Sequence, residues 1–459
     1  MVLAMNSSLV PKFALLLYGA SGYFLWISSW KLFNISFFLF VSSILLLLIS
    51  LFCRAPKIIT LTKHQKLMFL LFMIVLCIHA VGIFLPETGF DALWYHLPIT
   101  EVYSHTNSVF YIPELYQSAM PRLGSMLFSF LYQFWGVSGA KLVAYMNTIF
   151  FFVMFCDFCR KNLSRTYSLL ALTSIAMFHV VSWQASSAYV DLLRASFEIA
   201  AISFSMQKGR STALFSGLMF GLALSTKLVA VFFVPVYVLS LLFHRPMKEV
   251  FITFTGLLIV ILPWYFQSYA WTGNPVFPLF ETLNGQEQLL GEGVSSWVSW
   301  VVKQLPFFII SPIASTVHKE SYTTTSLVLF YPFLLLYWKK LWDKFSGLVV
   351  YAVGFLFLWS MIPPVSVRYA LSGFAVLLFL SFYCFQHIVV SNIVRSFFII
   401  LVLSSIGVSL IVRLGSVAAA LPYLTGHETK EEYVSRFSVG IAKGPINAWY
   451  SGYWHQYQQ

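Results

Sequence analysis

The sequence predicts an all-α polytopic membrane protein with about 13 transmembrane helices. Three observations predict it. Hydrophobic residues make up 59% of the 459-residue chain and charged residues only 10%, more apolar surface than a soluble core absorbs. Apolar runs of about 18 residues or more, enough helix to cross a ~30 Å hydrocarbon layer, recur along almost the whole chain. The charges also sort by loop. With the N-terminus inside, 16 of the 28 Lys and Arg but only 3 of the 16 acids fall on the inner side. The inner side is then +13 and the outer side −1, out of a net +12. The basic balance is thus an orientation signal, and no nucleic-acid partner is needed to explain it.

Taken in order, spans are expected at about 12–29, 33–52, 67–85, 140–159, 166–183, 189–206, 211–225, 228–243, 249–268, 322–338, 345–362, 367–388 and 396–414. The first lacks a small-residue cleavage site and is followed at once by the second, so it reads as a span and not as a cleaved leader. Inner loops are short: 160–165, 207–210, 244–248 and 338–344. The outer side carries two long stretches, about 86–139 and 269–321, and a tail from 415. The chain therefore divides into a membrane domain, 1–414, and a short outer tail, 415–459, with chemistry expected on the outer face. Within the first outer stretch, Gly124–Gly136 is apolar but thirteen residues long, too short to span. It reads as an interfacial helix with its apolar face down and aromatic anchors. The second stretch opens Trp264–Pro278, an aromatic belt followed by a Gly-Asn-Pro turn. All five cysteines lie in or beside spans, so no disulfide framework is indicated. Cys156-Asp-Phe-Cys159 has no second ligand pair and reads as two small apolar residues on one helical turn.

The residues that can carry chemistry sit on the outer side. Asp91 follows an apolar run ending near Leu85 and lies within Pro86–Pro98, a carboxylate delivered to the membrane surface among aromatics. It is a candidate base, and its competing role is to cap a helix starting at Ala92. Asp191 opens a span at its outer end. Two such acids are compatible with general-base work, with a divalent cation, or, for Asp191, with a simple helix-dipole contact. Arg194 has two candidate partners, Glu198 one turn on and Asp191 three residues back. Lys227 lies between two short apolar runs and Arg368 opens a span. Outer cations have no routing purpose, so both are candidates to hold a phosphate, as is Arg122; snorkelling to lipid phosphates is the alternative. Tyr95, His96 and Glu101 complete the set as candidate substrate contacts. Metal ligation by His96 is disfavoured because no second histidine stands at ligand spacing.

Several segments together carry a resemblance: Phe90-Asp-Ala-Leu-Trp-Tyr-His-Leu-Pro98, Tyr189-Val-Asp191, Gly221-Leu-Ala-Leu-Ser-Thr-Lys227, Pro263-Trp264 with Thr272–Pro278, Arg368-Tyr369 and Glu428–Tyr433. In this order they resemble the GT-C superfamily of integral-membrane glycosyltransferases, in the bacterial branch similar to lipid A sugar transferases and protein O-mannosyltransferases. The resemblance implies a large first outer (periplasmic) loop with interfacial helices and a site at the outer face of a bacterial inner membrane. It implies a polyprenyl-phosphate-linked sugar donor and an envelope lipid, glycan or protein acceptor. Transfer would be inverting, with Asp91 as base, Asp191 as second acid, and Lys227 and Arg368 set against donor phosphate. The chain departs from the branch at Ser125, where an acid is often found, at Thr100-Glu101, which replace basic residues, and in its short tail. Two other classes are weighed against this one. An O-antigen polymerase or ligase would centre on outer-loop Arg and His. A lipid-linked-sugar transporter would show midplane charges and inverted repeats, and no repeat is visible.

Overall fold

The computed structural model describes residues 9–54, 61–279, 282–283, 286–287, 299, 302–303, 332–361, 366–388, 391–437 and 443–452. Among these described residues it is all-α apart from a two-residue antiparallel ladder, Thr282–Leu283 against Gln286–Glu287. Helices α1 (Val10–Ile27) and α2 (Phe33–Arg54) pack together, and α3 (Lys63–Val81) leads into the first long loop. Thr62 and Gln65 form a capping box that starts α3. That loop holds α4 (Leu97–Thr106) and the first part of α5 (Leu123–Arg160). Then come α6 (Arg165–Ala176), α7 (His179–Ala185), α8 (Asp191–Ser205), α9 (Arg210–Thr226), α10 (Val234–Leu242) and α11 (Met247–Thr272). The chain ends in α12 (Trp338–Met361), α13 (Leu371–His387), α14 (Asn392–Leu424), α15 (Lys430–Phe437) and α16 (Lys443–Tyr450).

Eight described helices are long and apolar enough to cross a membrane, or nine if α6 and α7 are one bent span. These correspond to nine of the expected spans. Three more, α8, α9 and the 228–242 stretch, are where the sequence puts them but are shorter than a straight crossing. Their lengths are cut by the charged residues discussed below: α8 starts at Asp191 and α9 stops at Lys227. The expected span at 322–338 lies largely outside the described residues. Helix α8 sits at the centre, with all its residues buried, and α13 is buried along Leu371–Phe385.

Three elements differ from the sequence expectation. The expected span 166–183 is broken, with α6 and α7 bent by 69°. The break frees the carbonyl of Met177, which the buried Arg413 of α14 takes at 2.7 Å. Helix α14 itself continues to Leu424, so the boundary drawn at 414 falls inside a helix. The third is the apolar segment before Gly136. It is a helix, as expected, but Leu123–Tyr132 are buried by protein, and exposure begins only at Gln133, Phe134 and Trp135. Gly136 has φ 54° and ψ −136°, a conformation that L side chains avoid. There the chain folds back on itself. A Cβ on Gly139 would collide with the carbonyl of Leu131, so the two limbs touch backbone to backbone.

That contact is testable. Gly139→Val is expected to lose folded, monodisperse protein in detergent, whereas Gly407→Val, whose Cβ meets nothing within 4 Å, keeps it. Size-exclusion profiles of the two variants decide the matter.

Candidate active site

The long loop after α3 places Asp91 through an unusual turn. Ala92–His96 is a π-helical turn, closed by the Leu97 N–H donating to the Ala92 carbonyl. Pro98 follows and has no N–H for the carbonyl four residues back, which disfavours regular α-helix here. Asp91 is the residue before this turn, but its side chain makes no capping bond, so capping is not its role. Its Oδ2 instead accepts from Tyr95 at 3.0 Å and pairs with Arg368 at 2.7 Å and Lys227 at 3.5 Å. Its backbone N–H donates to the Tyr189 hydroxyl at 3.1 Å.

Lys227 is extended (φ −158°, ψ 129°) and ends α9, so its side chain leaves the helix end. Its ammonium stands between the two acids, 3.5 Å from Asp91 and 3.1 Å from Asp191. Asp191 is fully buried and also accepts from Gln184 at 3.0 Å. Arg368 lies in a short 3-10 turn, Val367–Ala370, ahead of α13. That turn is anchored from below by Arg194, whose guanidinium donates to the carbonyls of Tyr369 (2.7 Å) and Arg368 (3.3 Å). Arg194 pairs with Glu198 at 2.7 Å, which settles the choice left open by the sequence: Glu198 and not Asp191 is its ion-pair partner. The embedded pair is a brace for the Arg368 turn. The rings of Tyr189 and Tyr369 lie 5.2 and 4.8 Å from the Arg368 guanidinium, and Tyr369 also lies 4.8 Å from the Lys227 ammonium.

A cavity of about 280 Å³ opens onto this cluster, lined by Asp91, Tyr95, His96, Gln117, Arg122 and Lys227 among others. Pro278 and Leu279, from the end of the Gly-Asn-Pro turn, also line it. Among the described residues, the Nε and Nη1 of Arg122 and the Nε2 of His96 have no hydrogen-bond partner. Arg122 is buried, bonds the Met120 carbonyl at 2.8 Å and lies against the Tyr103 ring. Burial lowers its pKa to about 10, so it remains a cation at neutral pH. Burial, then Lys227, lowers His96 to about 3, so its imidazole is neutral there. For Asp91, burial pushes the carboxyl up, but Arg368 and Lys227 more than offset it and hold it at about 2.

Of the residues singled out in the sequence, the fold brings Asp91, Asp191, Lys227, Arg368, Arg122, Tyr95 and His96 to one place. Asp191 and Arg368 do not line the cavity; they hold Lys227 and Asp91, which do. Glu101 is buried away from it and interacts with the Tyr132 hydroxyl, so it is not placed as a substrate contact. Glu428–Tyr433 is also not at the cavity; Thr429 and Glu432 cap α15 there. Among the described residues no group of three or more His, Cys, Asp or Glu is placed to hold a metal ion. Sequence reasoning missed Glu87. Its carboxylate is buried and accepts from Ser187 Oγ (2.6 Å) and the Ala188 N–H (2.8 Å), tying the Asp91 loop to the segment before Asp191. An acid four residues before Asp91 was the available signal.

No family model and no characterised protein matches the chain by sequence. Two solved structures match its fold. One is ArnT from Cupriavidus metallidurans in the apo state: TM-score 0.52, 15% identity, 85% of this chain and 75% of that one. The other is the same protein bound to undecaprenyl phosphate: TM-score 0.47, 13% identity and the same coverage. The chain shares the fold of the apo ArnT structure. At this identity the likeness is one of fold, and any chemistry of the site rests on its own residues.

The Asp91–Arg368 contact makes a stability prediction. Asp91→Asn leaves a buried guanidinium without its carboxylate and is expected to cost on the order of 3 kcal/mol. Asp91→Asn with Arg368→Gln should recover part of that loss in thermal unfolding. Because Asp91 is held at about 2, below the ordinary 3.8, its contribution is fully present above pH 3.8 and disappears only as pH falls through about 2. Unfolding between pH 8 and 5 should therefore show no loss from this group.

Proposed function

We propose that the chain is a glycosyltransferase that moves a sugar from a polyprenyl-phosphate donor to a hydroxyl of a cell-envelope lipid, glycan or protein. The reaction takes place at the outer face of a bacterial inner membrane, with inversion at the anomeric carbon. The observation that carries this reading is Asp91 on a cavity wall, its Oδ2 paired with two cations, within the GT-C fold. The charge asymmetry of the loops supports an outer site and an inner N-terminus.

Each part of the cluster has a task in that reaction. The donor phosphate is both anchor and leaving group, and it needs positive charge that strengthens as the glycosidic bond breaks. Arg122 is a buried cation on the cavity wall with no acidic partner among the described residues, so it is the first group to meet the phosphate. Lys227 and Arg368 then turn from carboxylate to phosphate. Asp91 loses the partners that suppress its basicity and takes the proton of the acceptor hydroxyl. The hydroxyl oxygen forms the new bond to the anomeric carbon as the phosphate departs with the bonding electrons. Asp91 Oδ1 carries none of the side-chain contacts described above and is the oxygen open to that proton. Asp191 holds Lys227 in place, and neutral His96 and Gln117 offer hydrogen bonds to sugar hydroxyls.

Mass spectrometry of envelope glycolipids and glycans tests the reading in cells with the wild-type chain, with Asp91→Asn, and without the gene. A sugar-sized mass increment is expected with wild type alone, and Asp91→Asn should lower transfer by about a hundredfold or more while the protein remains in the membrane. Near-normal transfer by Asp91→Asn would sink its assignment as base. Arg122→Gln should weaken donor binding more than it slows turnover of bound donor.

A further inference from the structure

A second cavity, of about 350 Å³, lies among α2, α3, α5 and α6. Its walls are helix faces that meet without filling the space between them. Phe72 and Leu76 on α3, Phe152, Cys156 and Arg160 on α5, and Arg165 and Leu169 on α6 line it at four-residue spacing, each set on one side of its helix. The apolar part is therefore continuous, and two of the three stripes end in a guanidinium. Arg160 closes α5 and Arg165 opens α6, both exposed. One acid also lines the cavity, Asp157, and it faces Lys12 at 3.4 Å in a buried pair. The active-site cavity belongs to the other end of these helices, since α3 runs from this cavity into the loop that carries Asp91.

From this juxtaposition of an unfilled apolar groove with two exposed guanidiniums at one end, we infer a binding site for an anionic glycerophospholipid of the inner leaflet. One acyl chain occupies the groove and the lipid phosphate sits against Arg160 and Arg165. Charge complementarity selects the occupant: an empty apolar slot alone accepts any hydrocarbon, but paired guanidiniums at its mouth favour a phosphate diester without a compensating cation. A zwitterionic headgroup brings its own positive charge to the same place. The site is independent of the transfer chemistry proposed above, and none of its residues belongs to the Asp91 cluster.

Native mass spectrometry of the full-length chain in a mild detergent tests it, with dioleoylphosphatidylglycerol, dioleoylphosphatidylcholine or undecaprenyl phosphate added singly. Wild type is expected to retain phosphatidylglycerol about tenfold better than phosphatidylcholine. The double variant Arg160→Gln/Arg165→Gln should lose that preference, and Leu169→Trp, which fills the groove, should lose retention of both phospholipids. The two arginines are exposed, so their replacement leaves packing intact and keeps the test valid even where Leu169→Trp does not fold. Equal retention of phosphatidylglycerol by wild type and the double arginine variant would overturn the proposal. So would stronger, arginine-dependent retention of undecaprenyl phosphate, which would reassign the groove to a prenyl lipid.

Discussion

The structure depends on one electrostatic constraint: four charges withdrawn from water must neutralise one another. Asp91, Asp191, Lys227 and Arg368 come from four separated stretches of chain, and each is largely or wholly buried. A buried charge without a partner costs several kcal/mol, more than most single contacts return. The segments that carry these residues are therefore held to one geometry. The fold yields to this need where it would otherwise run straight. Helix α9 stops so that Lys227 can leave it, a 3-10 turn precedes α13 so that Arg368 can reach Asp91, and a π turn follows Asp91. The short spans at the centre of the molecule are a consequence of that arrangement.

A second tier of contacts holds the first. Arg194 and Glu198 neutralise each other inside α8, and the remaining guanidinium N–H groups clamp the backbone of the Arg368 turn. Glu87 clamps the Asp91 loop to Ser187 and Ala188, just before Asp191. The Tyr450 hydroxyl also donates to the Glu87 carbonyl at 2.8 Å, so α16 closes onto the loop after α3. Backbone polar groups at each of these breaks find side-chain partners, which is what lets irregular chain persist inside a membrane protein. The bend between α6 and α7 follows the same rule through Arg413 and Met177.

The sequence made the run of membrane helices legible because hydrocarbon thickness sets helix length. It was weakest where tertiary demands break a helix. The apolar run 166–183 carries no proline or glycine to announce the bend after Ala176, and the residue that takes up the freed carbonyl, Arg413, lies more than 200 positions away. Gly136, by contrast, did mark a boundary, but its pattern could not say that the helix before it would be enclosed by protein. Asp91, Asp191, Lys227 and Arg368 were legible as outlying charges on an apolar background. Their pairing was not, because pairing is decided by which helix ends meet. Glu87 went unnoticed for a related reason: an acid in a loop reads as solvated until the loop is seen to be buried. Glu101 shows the converse, a loop acid that looked available and is enclosed beside Tyr132.

On the proposed reading, the same constraint orders the reaction. A carboxylate held at about 2 by two cations is a poor base, and it stays so while both remain paired with it. Nor can Lys227 and Arg368 leave their acids for an empty cavity, because that would strand charges of both signs. They can leave only for another anion at the same place, and Arg122, cationic and without an acidic partner among the described residues, is the group that brings one there. Donor phosphate must therefore arrive before the acceptor can be deprotonated. With the phosphate in place, the attraction that suppressed Asp91 is spent on the leaving group, and the base gains strength at the step that needs it. An acceptor entering alone meets a carboxylate too weak to activate it. The charge cluster that stabilises the empty site is then also what ties deprotonation to the presence of donor.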